Sequence, residues 1–275
     1  MTPAAVLPPD TDIAEALVTA AIAAGALIMD VRRGGVAVEK KQDRSPVTEA
    51  DRGAEALITA RLAEIAPGVP VIAEEAVEAG NIPRVGRVFF LVDPLDGTRE
   101  FVRGGEDFTV NIGMVRDGAP AVGVIFAPAT GALYVGVAGE GAWSGHVADG
   151  AVTERRAIRT RPPPAGPVDI VASRSHRTPA TDEFIARYDG GRLVSAGSSI
   201  KFCVVAAGEA DLYPRMGTTM QWDTAAGDAI LRAAGGRVVG LDGKPLPYGP
   251  TDAEGGAAYR NPWFIATGGM EPALG

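Results

Sequence analysis

The stretch Phe89-Phe-Leu-Val-Asp93-Pro-Leu-Asp96-Gly-Thr98 constrains this chain more than any other. Apolar residues in an unbroken row, then Asp-Pro, predict a buried strand that stops abruptly. Such a strand delivers two carboxylates, Asp93 and Asp96, to the edge of a cleft. Two readings of those acids stand side by side. Asp-Pro-x-Asp-Gly is the composition of a tight turn. It also suits a hard cation, because two like charges close in the chain repel until a divalent ion lies between them. Pro94 fixes the chain direction and Gly97 permits close approach, so the Leu95 carbonyl could join an oxygen-ligand set of the kind Mg²⁺ takes.

Further acids come from separate elements. Glu74-Glu75 end a predicted strand, Val69–Ala73, and Asp223 follows Trp222 at the start of a predicted helix. Thr48 and Asp51 form a carboxylate variant of the capping box, and Leu57, Ile58, Leu62 and Ile65 continue that helix to Pro67-Gly68. Each acid alone has an ordinary use, a helix cap for Asp223 and a solvated pair for Glu74-Glu75. Converged by the fold, together with Asp51, they make the set a two-metal hydrolase needs. Thr98 either completes the turn or shares a proton with Asp51 to orient an attacking water. Three segments offer anion contacts. Gly197-Ser-Ser199-Ile-Lys201 opens a helix with N–H groups, hydroxyls and an ammonium. Ser173-Arg174-Ser175-His176-Arg177 follows a strand, and Arg215 follows Asp211-Leu-Tyr-Pro.

The remaining pattern is that of a globular chain of 275 residues, 46% hydrophobic and 22% charged. Ile13, Leu17, Ala20, Ala24, Leu27, Ile28 and Val31 recur at helical spacing between a capping Asp12 and Gly34-Gly35. The uncharged run inside it, Ala16–Met29, is shorter than the roughly 20 residues a bilayer span requires. Thr109–Trp143 reads as a strand meander. The Pro-rich break Arg161–Pro167 separates an N-terminal α+β half, 1–160, from a C-terminal half, 161–275, in which strands and helices alternate as α/β. A net charge of −8 without an extended Lys/Arg cluster argues against a nucleic-acid polymer as partner. An acidic chain still binds phosphates when divalent cations mediate the contact. The lone Cys203 forms no intramolecular disulfide and fits a reducing cytoplasm. Walker, G-x-S-x-G and His-based zinc patterns are absent.

With these residues assembled, the chain resembles the inositol-monophosphatase superfamily of Mg²⁺-dependent, lithium-sensitive phosphatases. The resemblance is carried by Val92-Asp-Pro-Leu-Asp-Gly-Thr98, Gln221-Trp-Asp-Thr-Ala-Ala-Gly227, Ala73-Glu-Glu75 and Ser45-Pro-Val-Thr-Glu-Ala-Asp51. Within it the chain is most similar to the 3′(2′),5′-bisphosphate nucleotidases, through Asp96–Phe101, Glu106–Ile112, Ala172–His176, Gly197–Cys203 and Ala210–Arg215. The resemblance implies a layered αβαβα sandwich and a homodimer. It implies that Glu74, Asp93, the Leu95 carbonyl, Asp96 and Asp223 hold two Mg²⁺ ions. Asp51 and Thr98 would position the attacking water, with Asp51 reaching a third ion through water. Gly97 and Thr98 would offer N–H groups to the scissile phosphate. The implied reaction cleaves the 3′-phosphate of 3′-phosphoadenosine 5′-phosphate, leaving substrate contacts to Ser173, Arg174, His176, Ser199, Lys201 and Arg215. Inositol phosphate and fructose bisphosphate are the alternative substrates, and a metal-binding regulatory protein without turnover is the alternative class. One position departs from the pattern: Gln221 stands where many relatives carry an acid.

Overall fold

A computed structural model describes residues 7–40, 46–172 and 177–274. The N-terminal helix forms as α1 (Asp10–Gly34), beginning earlier than its apolar periodicity suggested. Asp12 does not cap it: Pro9 holds the cap position without a side-chain bond, and the Asp12 and Ile13 N–H groups donate to the Pro9 carbonyl. The entry is fixed instead by Asp10, whose carboxylate takes both arms of the Arg116 guanidinium at 2.6 Å. Among the described residues α1 alone is long and apolar enough to cross a membrane, yet half of its most apolar window is covered by protein. Ile13, Leu17, Ala21, Ala24 and Ile28 are the buried face, so the helix belongs to the core.

Next come β1 (Val38–Lys40), β2 (Pro46–Thr48), α2 (Glu49–Ile65), β3 (Val71–Ala73), α3 (Glu74–Glu78), β4 (Val88–Asp96) and α4 (Thr98–Val102). A meander follows: β5 (Thr109–Arg116), β6 (Ala119–Ala127), β7 (Ala132–Val137), β8 (Gly141–Ala148) and β9 (Ala151–Ile158). β3 to β9 make one seven-stranded sheet in sequence order, parallel only between β3 and β4. The edge strand β9 escaped the sequence reading because Thr153-Glu-Arg-Arg156 gives it an exposed, charged surface. The C-terminal half adds β10 (Asp169–Ala172), α5 (Pro179–Ile185), β11 (Arg192–Ser195), α6 (Ile200–Ala206), β12 (Leu212–Arg215), α7 (Gln221–Ala233), β13 (Arg237–Gly240) and β14 (Phe264–Thr267). Its five strands form a second, mixed sheet in the order β11-β10-β12-β14-β13.

The layers run α1 and α2, large sheet, α6 and α7, small sheet, α5, the αβαβα order expected. Strand alternation shows how β4 serves two layers at once. Phe90 and Val92 join the core under α1 and α2, whereas Phe89 and Leu91 join a second core with Phe202, Trp222 and Phe264 between the sheets.

Helix α7 lies unusually close to the large sheet. Gly113, Gly123 and Gly136 are cross-strand neighbours on β5, β6 and β7. A Cβ on Gly123 would stand 2.2 Å from the Ala226 carbonyl oxygen, and one on Gly136 would stand 2.4 Å from the Ile230 Cα. A stripe without side chains thus lets the helix backbone rest on the strands, and this helix carries Asp223. The Pro-rich break is tied down at its start. Arg161 bridges Asp169 and Asp211, its Nε donating to Asp211 at 2.7 Å.

Candidate metal centre and phosphate pocket

The acidic segment is neither a simple strand end nor a tight turn. β4 continues through it as a β-bulge: Asp93 pairs with Asn111 and Asp96 with Thr109, so Pro94 and Leu95 together oppose Val110. The cause is local. Pro94 has no N–H to give the ladder, and the Leu95 N–H donates at 3.0 Å to the Asp93 carboxylate instead. In a regular strand, residues three apart point to opposite faces. One extra residue resets the phase, so Asp93 and Asp96 share the face of Leu91 and Phe89, which looks towards the second sheet. Gly97, at φ +96°, turns the chain off the strand; a Cβ there would meet the Asp107 carbonyl oxygen at 2.6 Å.

Asp93 is buried, and that burial raises its pKa well above the usual carboxylate range, with the charges of Glu74, Asp96 and Asp223 adding to the rise. Asp223 is raised for the same reasons, burial first and then Asp96 and Glu74. It also serves as the expected cap, its carboxylate accepting the Met220 N–H at 2.8 Å. Glu74 begins α3, presented by the end of β3 beside β4. Among the described residues no three acidic, His or Cys side chains close into one coordination cluster. What groups these four is their mutual repulsion in a buried place, which a divalent cation removes. The donors are all hard oxygens, the chemistry Mg²⁺ selects.

Asp51 enters from the other side, in the first turn of α2. It is 2% exposed, and its Oδ2 accepts the Thr48 N–H at 2.7 Å and the Thr48 hydroxyl at 2.6 Å. Oδ1 accepts the Thr98 hydroxyl at 3.1 Å, and the Leu95 carbonyl lies equally close to that hydroxyl. Thr98 therefore joins the α2 cap to the aspartate bulge.

Beside the bulge lies a cavity of about 200 Å³ lined by Asp96, Gly97, Ser199, Lys201, Arg215 and Asp223. Lys201 is 5% exposed; its ammonium donates to the Ser198 carbonyl and stands 5.4 Å from the centre of the Tyr213 ring. Burial lowers its pKa to about 8 against the opposing pull of Asp96. Arg215 donates to the Thr218 carbonyl at 3.2 Å, while its Nε is buried without a hydrogen-bond partner. An orphaned guanidinium donor in a cavity wall is a ready anion contact. Ser199 is 3% exposed, and its hydroxyl lies against the Asp96 carboxylate and the Asp223 carbonyl. Ser173, Arg174 and His176 lie outside the described residues.

Several residues here escaped the sequence reading. Glu55 accepts the Glu75 N–H at 2.7 Å and the Ala76 N–H at 2.8 Å, docking the start of α3 on α2. Its spacing of four from Asp51 on one helix was the available signal. Asp107 and Glu100 add negative charge to the cavity wall. Gln221 is accounted for. Its amide exchanges two hydrogen bonds of 2.8 Å with the backbone of Gly249, and the donor half needs an amide. A larger hollow of about 830 Å³ lies between the start of α1, the β8–β9 hairpin and the end of α7. Its Arg155 and Arg232 are already paired with Glu15 and Asp228, and none of Glu74, Asp93, Asp96 and Asp223 lines it.

The profile of the inositol monophosphatase family matches residues 10–268. The chain belongs to that family. It is 40% identical over 246 residues to the 3′(2′),5′-bisphosphate nucleotidase CysQ of Salmonella typhimurium, covering 89% of this chain and 95% of the relative. Among solved structures it is similar to CysQ from Bacteroides thetaiotaomicron, with a TM-score of 0.76 and 38% identity over 94% of this chain and 98% of that one. The inositol monophosphatase of Thermotoga maritima superposes with a TM-score of 0.70 at 27% identity, over 92% and 90% of the two chains. Members of the family are metal-dependent phosphatases, which agrees with the donor set at the bulge.

Proposed function

We propose that this chain is a 3′(2′),5′-bisphosphate nucleotidase that hydrolyses the 3′-phosphate of 3′-phosphoadenosine 5′-phosphate, giving AMP and phosphate. One observation carries the reading: a hydroxyl–carboxylate pair, Thr98 and Asp51, stands beside the mutually repelling carboxylates of Glu74, Asp93, Asp96 and Asp223, next to a cavity with two cationic side chains. The relatives named above support the choice of ester. Glu74, Asp93, the Leu95 carbonyl, Asp96 and Asp223 would hold two Mg²⁺ ions, with a third near Asp51. Bound there, Mg²⁺ would neutralise phosphate charge and make the attacking water more acidic than bulk water.

The chain's own groups do the rest. The Thr98 hydroxyl donates to Asp51 Oδ1, which leaves its oxygen to accept a proton from the attacking water. As water attacks phosphorus, its proton passes to Thr98 while the Thr98 proton passes to Asp51. The new bond joins the water oxygen to phosphorus, the P–O bond to the ribose breaks, and the leaving oxygen takes a proton from solvent water to become the 3′-hydroxyl, while Asp51 returns the proton it received to solvent. Thr48 fixes the orientation of Asp51 throughout by donating twice to the other oxygen. Gly97 and Thr98 offer N–H groups at the head of α4. Arg215 and Lys201 receive the second phosphate, which an inositol monophosphate lacks, with Ser173, Arg174, His176 and Ser199 completing the substrate contacts. A homodimer in a reducing cytoplasm, with no membrane insertion, belongs to the same reading.

The test ranks kcat/KM for 3′-phosphoadenosine 5′-phosphate, inositol 1-phosphate and fructose 1,6-bisphosphate, before and after Arg215→Ala. The bisphosphate nucleotide should lead and should lose most in the variant. Equal losses on all three esters would refute the substrate assignment.

A further inference from the structure

We propose that Asp107, in the wall of the phosphate cavity, is the acceptor that reads the nucleoside of the substrate, taking a hydrogen bond from an N–H or O–H donor of its base or ribose. The proposal rests on the nucleotidase reading above and deepens it. Cationic side chains bind phosphate whatever molecule carries it, so another group must recognise the carrier.

The cavity has walls of opposite sign. Lys201 and Arg215 bring cationic donors, whereas the carboxylates of Asp107 and Glu100 only accept. The acids of the metal centre, Glu74, Asp93, Asp96 and Asp223, act on one another. The charge of Asp107 acts instead on Lys201. Its carboxylate is exposed and takes no hydrogen bond or ion pair from any described residue.

An exposed carboxylate ordinarily swings in water, but Asp107 is held. The next residue, Phe108, is fully buried and meets Phe101 edge-on at 5.2 Å. Arg32 of α1 grips the same loop, donating to the Gly104 carbonyl at 2.6 Å, with its guanidinium 5.5 Å from the centre of the Phe108 ring. Two glycines then receive Asp107 itself. Its carbonyl oxygen would stand 2.6 Å from a Cβ on Gly97. Its own Cβ would stand 2.3 Å from a Cβ on Gly197, and its Oδ2 2.9 Å from it. Gly197 is not among the glycines with positive φ, so room for this side chain is what requires glycine there. Gly97 ends the aspartate bulge and Gly197 opens the serine loop. Asp107 is therefore fixed against both the metal side and the cationic side of the cavity, as a recognition group must be.

Charge decides what Asp107 can hold. An ionised phosphate repels it and brings no proton, so neither phosphate of the substrate settles there. A neutral N–H or O–H does. In the bisphosphate nucleotide those groups are the ribose 2′-hydroxyl and the exocyclic amine of the base. With one phosphate at the metal acids and the other at Lys201 and Arg215, Asp107 gives the substrate a third point of attachment.

The test compares steady-state kinetics of the wild-type chain, Asp107→Ala and Asp107→Asn at saturating Mg²⁺. The substrates are 3′-phosphoadenosine 5′-phosphate, its 2′-deoxy analogue and the analogue whose purine lacks the amine. Asp107→Ala should raise KM for the parent nucleotide about 10- to 100-fold, the scale of a hydrogen bond to a charged group. Its kcat, and its Mg²⁺ affinity by calorimetry, should stay near wild type. Asp107→Asn, which keeps one acceptor oxygen, should fall between. The analogue that lacks the donor should already show a raised KM with the wild type and lose nothing more in Asp107→Ala, while the other behaves as the parent; the pair thus tells hydroxyl from amine. An unchanged KM in Asp107→Ala would overturn the assignment. So would equal rises on all three nucleotides, which would leave Asp107 acting only through the charge of Lys201. A wild-type chain that turns over inositol 1-phosphate as efficiently as the nucleotide would sink the nucleotidase reading itself, a result seen before any variant is made.

Discussion

At the scale of single residues, the account turns on protons and charges placed by neighbours. Thr98 has one proton and its place between Asp51 and the bulge defines its role. Thr98→Ala should lower kcat about 10²- to 10⁴-fold, the usual worth of a positioned proton acceptor, while calorimetry finds Mg²⁺ affinity close to wild type. Lys201 makes a different prediction. Its ammonium is charged below a pKa of about 8, lowered there chiefly by burial. KM for the bisphosphate nucleotide should therefore rise as pH climbs through about 8. Lys201→Met should remove that rise and raise KM at neutral pH by about 10- to 100-fold, the scale of a charge-assisted hydrogen bond. A KM independent of pH in the wild type would dissociate Lys201 from substrate binding. The identities of these residues were legible in the sequence because each chemistry-bearing type sat in a distinctive string. Ser198 was harder to read. Its hydroxyl direction depends on a positive φ and on a strand register that no local string announces.

Elements deliver these side chains, and here the sequence was partly misleading. Asp93-Pro-Leu-Asp96 has turn composition, yet the chain resumes pairing at Asp96 because Thr109 of its neighbour β5 holds it. Periodicity alone would have placed the two acids on opposite faces; only the bulge unites them. Glu55 plays a comparable part for Glu74. By accepting two N–H groups at the head of α3, it satisfies donors that a short helix start would otherwise leave open. Glu55→Ala should cost about 0.5–2 kcal/mol, the range for losing a helix cap, read from urea midpoints. It should also weaken Mg²⁺ binding through Glu74. A loss of stability with normal metal affinity would leave Glu55 a purely structural residue. The strand meander and the later alternation as far as β13 were read from apolar runs and Gly turns, but β14, which lies between β12 and β13, was not. The β9 edge was not, because charge on both faces erases the period-2 signal.

For the whole molecule, the candidate site draws its residues from elements far apart in the chain. Asp93 and Asp96 come from the large sheet, Asp223 from a helix between the sheets, and Ser199 and Lys201 from the C-terminal half. What brings them within reach is the glycine stripe on which α7 rests. Gly123→Ala would drive a methyl into the α7 backbone and should destabilise the fold by about 1–3 kcal/mol, the typical cost of overpacking. Activity should fall further than folding does, since the shifted helix carries Asp223 away from the bulge. Activity that tracks only the folded fraction would show that the stripe positions nothing. That stripe could not be recognised from sequence, because glycines far apart in the chain become neighbours only through sheet register.

The most direct test of the central claim is phosphate release from 3′-phosphoadenosine 5′-phosphate, followed against Mg²⁺ concentration for the wild type and Asp96→Asn. The account predicts turnover that saturates with Mg²⁺, vanishes with a chelator and is abolished in the variant, although the variant still folds. Turnover that survives both the chelator and the substitution would contradict it.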